Sequence, residues 1–305
     1  MTAETYTAAA SIDEALQALA AGARAVAGGT DLVVGARSGK APLPESLVAI
    51  HRLADLRGIR EQGGGLALGA LTTHADIVDS QAVRDRFTAL ADASAIVGSH
   101  ATRSTGTIGG NVMNASPAME TGGPLICFDG VARLRSSGGE REVPLAELFS
   151  GPGRTTAASD ELLTEIELPA PAAGTGSCYA RLEYRRQMEI AIVGATAVVT
   201  LDGGTVSGAR VAITALAPTI HRVPAAEAAL TGSDGAESAV ADAANAAAEA
   251  SQPISDVRGS ADYRRAMAAV IARRAITTAI ARARGEQFPI PASPALHGAT
   301  NGGAA

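Results

Sequence analysis

Residues 104–117 read STGTIGGNVMNASP: three glycines, two threonines, two asparagines and two serines in fourteen positions. Such a segment has too little side-chain bulk to build a core. It is rich in backbone amides and short hydroxyls, groups that can approach an anion closely. A second stretch, AVAGGTDLVVGA at 25–36, has the same character. There a short apolar strand runs into Gly28-Gly29 and leaves into a helix that Thr30 or Asp31 can cap. Exposed N–H groups and the dipole of a helix N-terminus bind anions. Taken alone, the glycine pair reads equally as a tight turn needing positive φ, for which glycine is the default. The plain reading of 106–125 is a long surface loop. Together the two stretches point to one phosphate-bearing ligand. In the second, Thr107, Gly109, Gly110, Asn111 and Ser116 supply the donors around Ile108. Glu120 stands downstream, where it could accept a hydrogen bond from a sugar hydroxyl.

Familiar phosphate motifs do not fit. GARSGK at 35–40 sets glycine and lysine one residue too close for a Walker loop, and Ala41 follows where Ser or Thr should hold magnesium. No GxGxxG opens a helix, so the Rossmann fingerprint is missing. The two cysteines, Cys127 and Cys178, cannot hold an iron–sulfur cluster that needs four thiolates. They read as plain buried thiols. His74 falls within a capping sequence and His100 before the glycine stretch. Neither has ligand-like company, so no metal site is expected. No catalytic base is assigned.

The elements that must position these groups follow from pattern. Ser11 and Glu14 have capping-box spacing ahead of Leu16 and Leu19, and Gly22 is placed to stop that helix. RAVA and 46–50 read as strands, giving a small βα unit over 1–55. Over 56–170, IREQGGGLALGAL and 131–145 read as hairpins and 161–169 as a strand. Thr73 and Asp76 cap one helix and 87–97 form another. The composition of 170–176 is that of a linker. A third unit, 177–285, alternates strand, apolar segment and strand, then gives helices over 224–250 and 260–284. The tail, 286–305, reads as disordered.

The chain has 305 residues, 47% of them hydrophobic, with four Phe, four Tyr and no Trp, so its core must be aliphatic. A net charge of −6 without a basic run argues against nucleic acid. The first residues carry no basic start or apolar h-region, and no apolar run approaches about 18 residues. A cytoplasmic protein with no membrane span is expected.

The paired motifs AGGTDL and TIGGN…NASPA resemble the two signatures of the FAD-binding subunits of the molybdenum hydroxylases. That group includes the carbon monoxide dehydrogenase medium subunit and the xanthine dehydrogenase flavin domain. LTTHADI, GPLICFDGVARL and RRQMEIAIVGAT fall in the expected order, so the resemblance covers about residues 1–285. It implies an α+β fold of the vanillyl-alcohol-oxidase (PCMH) type: two FAD-binding subdomains and a C-terminal α+β domain over the flavin ring. Carried over, Ala27, Gly28, Gly29, Thr30 and Asp31 would contact the pyrophosphate from one side. Thr107, Ile108, Gly109, Gly110 and Asn111 would contact it from the other, with Ser116 nearby. Val97 would touch the cofactor through its backbone, Glu120 would meet its sugar, and Leu163 and Arg181 would lie by the ring.

The sequence departs from the family pattern at Glu120 and Glu189, where Asp is usual, and at Ser104, where Asn is common. Thr30 stands where covalently flavinylated relatives of the wider fold have His, so a non-covalent flavin is implied. The resemblance further implies a small subunit with two [2Fe–2S] clusters and a large molybdopterin subunit, arranged as a dimer of heterotrimers. Electrons would pass from the nearest cluster through FAD to an external acceptor. Tyr184 and the Arg185-Arg186 pair read as ring neighbours, a subunit contact or a solvated face. Two alternatives stand beside this reading: a stand-alone FAD oxidoreductase of the same fold, and a nucleotide-binding module without redox chemistry.

Overall fold

The computed structural model describes residues 5–39, 41–185 and 187–298; residues 1–4, Lys40, Arg186 and 299–305 lie outside the described residues. The first unit comprises β1 (Thr5–Ala8), α1 (Ile12–Ala20), β2 (Arg24–Val26), α2 (Thr30–Arg37) and β3 (Ser46–Ala49). Its strands form a parallel sheet in the order β1-β3-β2, with the apolar β3 at the centre. Helix α1 starts as its sequence dictates. Ser11 Oγ accepts from the Glu14 amide at 3.2 Å, and the Glu14 carboxylate accepts from the Ala10 amide at 2.8 Å. Its apolar side, Ala15, Leu16 and Leu19, packs with Val48, Ile50 and Leu53.

Helix α2 departs from expectation. Its cap is Gly29 at φ +67°, not Thr30 or Asp31, and it makes no side-chain cap hydrogen bond. The turn out of β2 needs a left-handed residue, which glycine supplies without steric cost. That requirement overrides the preference for a hydroxyl or carboxylate cap. None of α2 is buried, and Val33 and Val34 are exposed.

A short 3₁₀ turn, Ala54–Leu56, leads to the hairpin of β4 (Ile59–Gln62) and β5 (Gly65–Gly69). Six short helices follow: α3 (His74–Asp79), α4 (Gln81–Arg86), α5 (Thr88–Ala95), α6 (His100–Arg103), α7 (Ile108–Asn114) and α8 (Gly122–Cys127). Thr73 and Asp76 form the full capping box on α3. Next come β6 (Val131–Ser136), β7 (Gly139–Pro144), α9 (Leu145–Leu148), β8 (Phe149–Gly151), β9 (Arg154–Thr155) and β10 (Leu162–Leu168). The main sheet is antiparallel in the order β4-β5-β10-β6-β7, while β8 and β9 pair separately. As the central strand, β10 buries Leu162, Leu163, Ile166 and Leu168. The aliphatic core holds one aromatic pair, Phe87 and Phe128, edge to face at 4.9 Å.

The third unit is a sheet of β11 (Thr175–Leu182), β12 (Val193–Asp202), β13 (Thr205–Thr214) and β14 (His221–Arg222), in that order. It carries α10 (Pro224–Leu230), α11 (Glu237–Glu249), α12 (Ala261–Ala283) and α13 (Ser293–Gly298). Alternation along the strands gives it two unlike faces. Cys178, Ala180, Ala195, Ala197, Val199, Val211 and Ile213 pack with Ala268, Ile271, Ala272 and Ala275 of α12. Ser177, Tyr179, Arg181, Thr196 and Thr214 lie on the other face, turned toward α5 and α8 and buried. Both cysteines are buried and free, and burial pushes both thiols up.

Residues 286–298 correct the expectation of a disordered tail. Ala292 and Ser293 are buried. Ser293 Oγ accepts from the Arg181 amide and donates to the Arg181 carbonyl, each at 3.0 Å, so it closes part of the free edge of β11. The Ala292 amide donates to Asp92 Oδ1 at 3.0 Å. Proline, alanine and serine carry no periodic signal, but small residues fit the narrow space beside that edge. Asp92, fully buried on α5, also accepts from Arg282 Nη1 at 2.6 Å and from the Tyr179 amide at 3.3 Å. One carboxylate thereby ties α5 to β11, α12 and the 292 segment.

Candidate functional site

The two glycine stretches meet. A Cβ on Gly28 would stand 2.1 Å from the Thr105 carbonyl oxygen and 3.3 Å from the Gly106 nitrogen. Only a residue without a side chain allows that approach. Beside it, Thr30 Oγ1 and the His74 ring edge both lie 3.5 Å from the place a Cβ on Gly106 would take. The turn before α2 and the turn before α7 therefore form one junction, although about 80 residues of chain separate them.

The second side of the junction is braced from below. The Ile108 amide donates to the Thr72 carbonyl and the Gly109 amide to the Ala70 carbonyl, both at 2.9 Å. A Cβ on Gly109 would stand 2.6 Å from that Ala70 oxygen, so this glycine also serves a close approach. Thr107 Oγ1 accepts from the Gly110 amide at 3.1 Å, and its carbonyl from the Asn111 amide at 2.9 Å. This corrects the picture of 104–117 as a loop of bare amides. Half of the stretch, Ile108–Asn114, is helix, and the amides of 108–111 are engaged within the protein. What remains for a ligand on this side is the Thr107 hydroxyl proton and the Asn111 side-chain amide, whose Oδ1 accepts from Thr121 Oγ1 at 2.7 Å. On the first side, Thr30 and Leu32 lie in the first turn of α2, where helix geometry gives backbone N–H groups no intrahelical acceptor.

The other expected residues fall into two groups. Val97 and Ser116 flank the junction helices. The Val97 carbonyl accepts from Arg103 Nη1 at 3.0 Å, and Ser116 Oγ accepts from the Ala118 amide at 3.3 Å. Leu163 lies in the core on β10, opposite Leu134. Its neighbour Thr164 accepts from the Ala70 amide at 2.9 Å, and Ala70 in turn supports Gly109. Glu120 and Arg181 form a group of their own. Arg181 Nη1 donates to Glu120 Oε1 at 2.6 Å, and Arg181 Nε pairs with Glu183. Burial pushes the Glu120 carboxyl up, and Arg181 only partly offsets this. Arg181 stays above its ordinary value: burial opposes its charge, but Glu120 and Glu183 outweigh that.

Sequence reasoning missed Thr105, Gly106 and Glu183, and left His74 between a capping role and a cofactor contact. Thr105 and Gly106 supply the backbone against which Gly28 packs, a role no single motif advertises. Glu183 shares Arg181. His74 was expected in a cap; it also sits buried at the junction with Nδ1 lacking a partner among the described residues. Burial and the nearby Arg103 charge hold it down at about 4, so its ring is neutral at pH 7. A surface cavity of about 350 Å³ lies against α2, lined by Val33, Ala36, Arg37 and Leu43.

This donor set suits a nucleotide pyrophosphate. It offers a helix start without a side-chain cap, hydroxyls on both sides and a close backbone approach at Gly28 that a Cβ would not allow. Comparison with known proteins agrees. Residues 2–171 match the family described as FAD binding domain in molybdopterin dehydrogenase, and residues 178–279 match CO dehydrogenase flavoprotein C-terminal domain. The carbon monoxide dehydrogenase medium chain of Hydrogenophaga pseudoflava is 36% identical over 239 residues, covering 78% of this chain and 83% of that protein. The 6-hydroxypseudooxynicotine dehydrogenase complex subunit alpha of Paenarthrobacter nicotinovorans is 34% identical over 92% of this chain and 95% of its own length. Among solved structures, the Hydrogenophaga pseudoflava carbon monoxide dehydrogenase superposes with a TM-score of 0.88 at 37% identity, covering 92% of this chain and 98% of the other. Quinoline 2-oxidoreductase from Pseudomonas putida 86 gives 0.86 at 30%, covering 93% and 98%.

Fold and junction define a flavoprotein of the PCMH type, with a C-terminal domain attached. The chain belongs to the FAD-binding family of the molybdopterin dehydrogenases and is an oxidoreductase subunit. Among the described residues no helix is long and apolar enough to cross a membrane.

Proposed function

We propose that this chain carries FAD without a covalent link and relays electrons within a molybdenum hydroxylase. The observation that carries the reading is the contact of Gly28 with Thr105, which brings the two glycine turns together. In this reading Ala27 to Asp31 hold the pyrophosphate through the first turn of α2. Thr107 to Asn111 face it from α7, with Ser116 and the Val97 backbone at the margin. Bound FAD supplies one- and two-electron redox chemistry. The protein binds it, orients it and sets the charge around it. Leu163 and the Arg181–Glu120 pair would act near the ring and sugar. The units fall at 1–55, 56–170 and 177–285, the third closing over the other two.

Two cysteines, both buried, cannot ligate clusters here. The reading therefore places [2Fe–2S] centres on a small partner chain and molybdopterin on a large one, in a dimer of heterotrimers. It leaves the substrate to the large chain and hands electrons to an external acceptor. The expected location is the cytoplasm.

The test is an absorption spectrum of the chain co-expressed with its genomic neighbours, before and after acid precipitation. Flavin bands that pass to the supernatant as FAD, with iron–sulfur absorbance in co-purifying chains, are expected. Flavin without partner chains would favour a stand-alone oxidoreductase. No flavin after incubation with FAD would overturn the reading.

A further inference from the structure

Three buried hydroxyls on one face of the C-terminal sheet have no hydrogen-bond partner among the described residues: Tyr179 Oη, Thr196 Oγ1 and Thr214 Oγ1. Each belongs to a fully buried residue. Buried hydroxyls are nearly always satisfied, and a Tyr hydroxyl in a core usually finds a partner. Three exceptions at unrelated places would each be a small defect. These three are neighbours. Tyr179 lies directly across from Thr196, and Gly194, two residues before Thr196 on the same face, lies across from Thr214.

Glycines bound the place on both sides. A Cβ on Gly194 would stand 2.7 Å from Tyr179 Oη. On the facing helix α8, a Cβ on Gly123 would stand 2.4 Å from Thr196 Oγ1 and 3.4 Å from Thr214 Oγ1. The two threonine hydroxyls thus converge beneath one helical residue without bonding each other. Each hydroxyl can both donate and accept. Buried water typically makes about three hydrogen bonds to otherwise unsatisfied groups.

We propose that this seam, between α8 and the C-terminal sheet, is an internal water site with Tyr179, Thr196 and Thr214 as its ligands. The water lies beside the Glu120–Arg181–Glu183 cluster, whose charges act on the Tyr179 phenol. It makes the contact between the second and third units partly polar, where an aliphatic sheet face would have made it dry.

The sign of a stability change tests this. If water bridges the hydroxyls, Thr196→Val and Thr214→Val each strand a bond and lower Tm by a few degrees. If the hydroxyls are unsatisfied, each deletion removes a buried polar group without a partner, and Tm rises. A crystal structure of the full chain at about 1.5 Å provides the second measurement. Density within hydrogen-bond distance of at least two of the three hydroxyls, lost in Thr214→Val crystals, is expected. An empty seam, or a rise in Tm in both variants, would overturn the proposal.

Discussion

Arg181 and Glu120 meet at 2.6 Å, one on β11 and the other ahead of α8, and both are buried. Removing one partner of such a pair leaves a buried charge, which costs about 3–5 kcal/mol. Glu183 also touches Arg181 and softens the loss. Glu120→Gln is therefore expected to destabilise the protein by about 3 kcal/mol, the low end of that range, seen as a lower urea midpoint at unchanged slope. Arg181→Met with Glu120→Gln should recover part of it. A double variant whose loss equals the sum of the two single losses would show that the pair is not coupled.

Gly28→Ala places a methyl where the Thr105 carbonyl already stands. The junction must open, and FAD binding should weaken by on the order of a hundredfold, about 2.7 kcal/mol. Flavin released by acid from the purified variant measures this. Gly35→Ala is the matched control, since nothing lies within 4 Å of its added Cβ. In the interior of α2 it should leave FAD content intact and add about 0.5–1 kcal/mol of stability.

His74 gives the protein an acid-sensitive window. Its ordinary value of 6.5 falls to about 4 in the fold through burial and Arg103. Below 6.5 the unfolded chain binds a proton that the folded chain refuses, so stability falls with pH. The loss accumulates down to about 4 and then levels off, totalling on the order of 3 kcal/mol. His74→Phe should flatten this part of the profile. Equal slopes for both proteins in urea unfolding between pH 7 and 4.5 would rule His74 out as the cause.

The Asp92–Arg282 pair offers a second coupling. Asp92→Ala removes acceptors used by Arg282, Tyr179 and Ala292 at once. A loss of about 3–5 kcal/mol is expected. The double-mutant cycle with Arg282→Ala should be strongly non-additive. Protease cleavage near residue 290 should rise in Asp92→Ala before global unfolding. A variant whose 292 segment resists cleavage as well as the parent would deny Asp92 that anchoring role.

Much of the frame was legible because it rests on local pattern. The capping box at Thr73 and Asp76, the hairpin at 59–69 and the strand at 162–168 all follow from residue type and spacing. The site was half legible. Glycine pairs announced that backbone would come close to something, but not that Gly28 would close on Thr105. Nor could they tell that the amides of 108–111 turn inward to Thr72, Ala70 and Thr107. Thr72 and Ala70 are distant in the chain, and no periodicity encodes them. The cap at Gly29 was missed because backbone conformation, not hydrogen bonding, chose the residue. The ordered 286–298 segment was missed because its anchors, Asp92 and the β11 edge, belong to distant parts of the chain.

The two unlike faces of the C-terminal sheet also guard its assembly. Side chains alternate with a period of two, so a slip of β11 by a single residue exchanges its faces. Arg181 would then be driven into the alanine-lined surface of α12 and away from Glu120, while Cys178 and Ala180 met Glu120 in its place. A sheet of uniformly aliphatic strands would tolerate that error almost silently. Here the misaligned form loses the buried Arg181–Glu120 pair and leaves Glu120 against apolar side chains, so the buried polar row disfavours the wrong register.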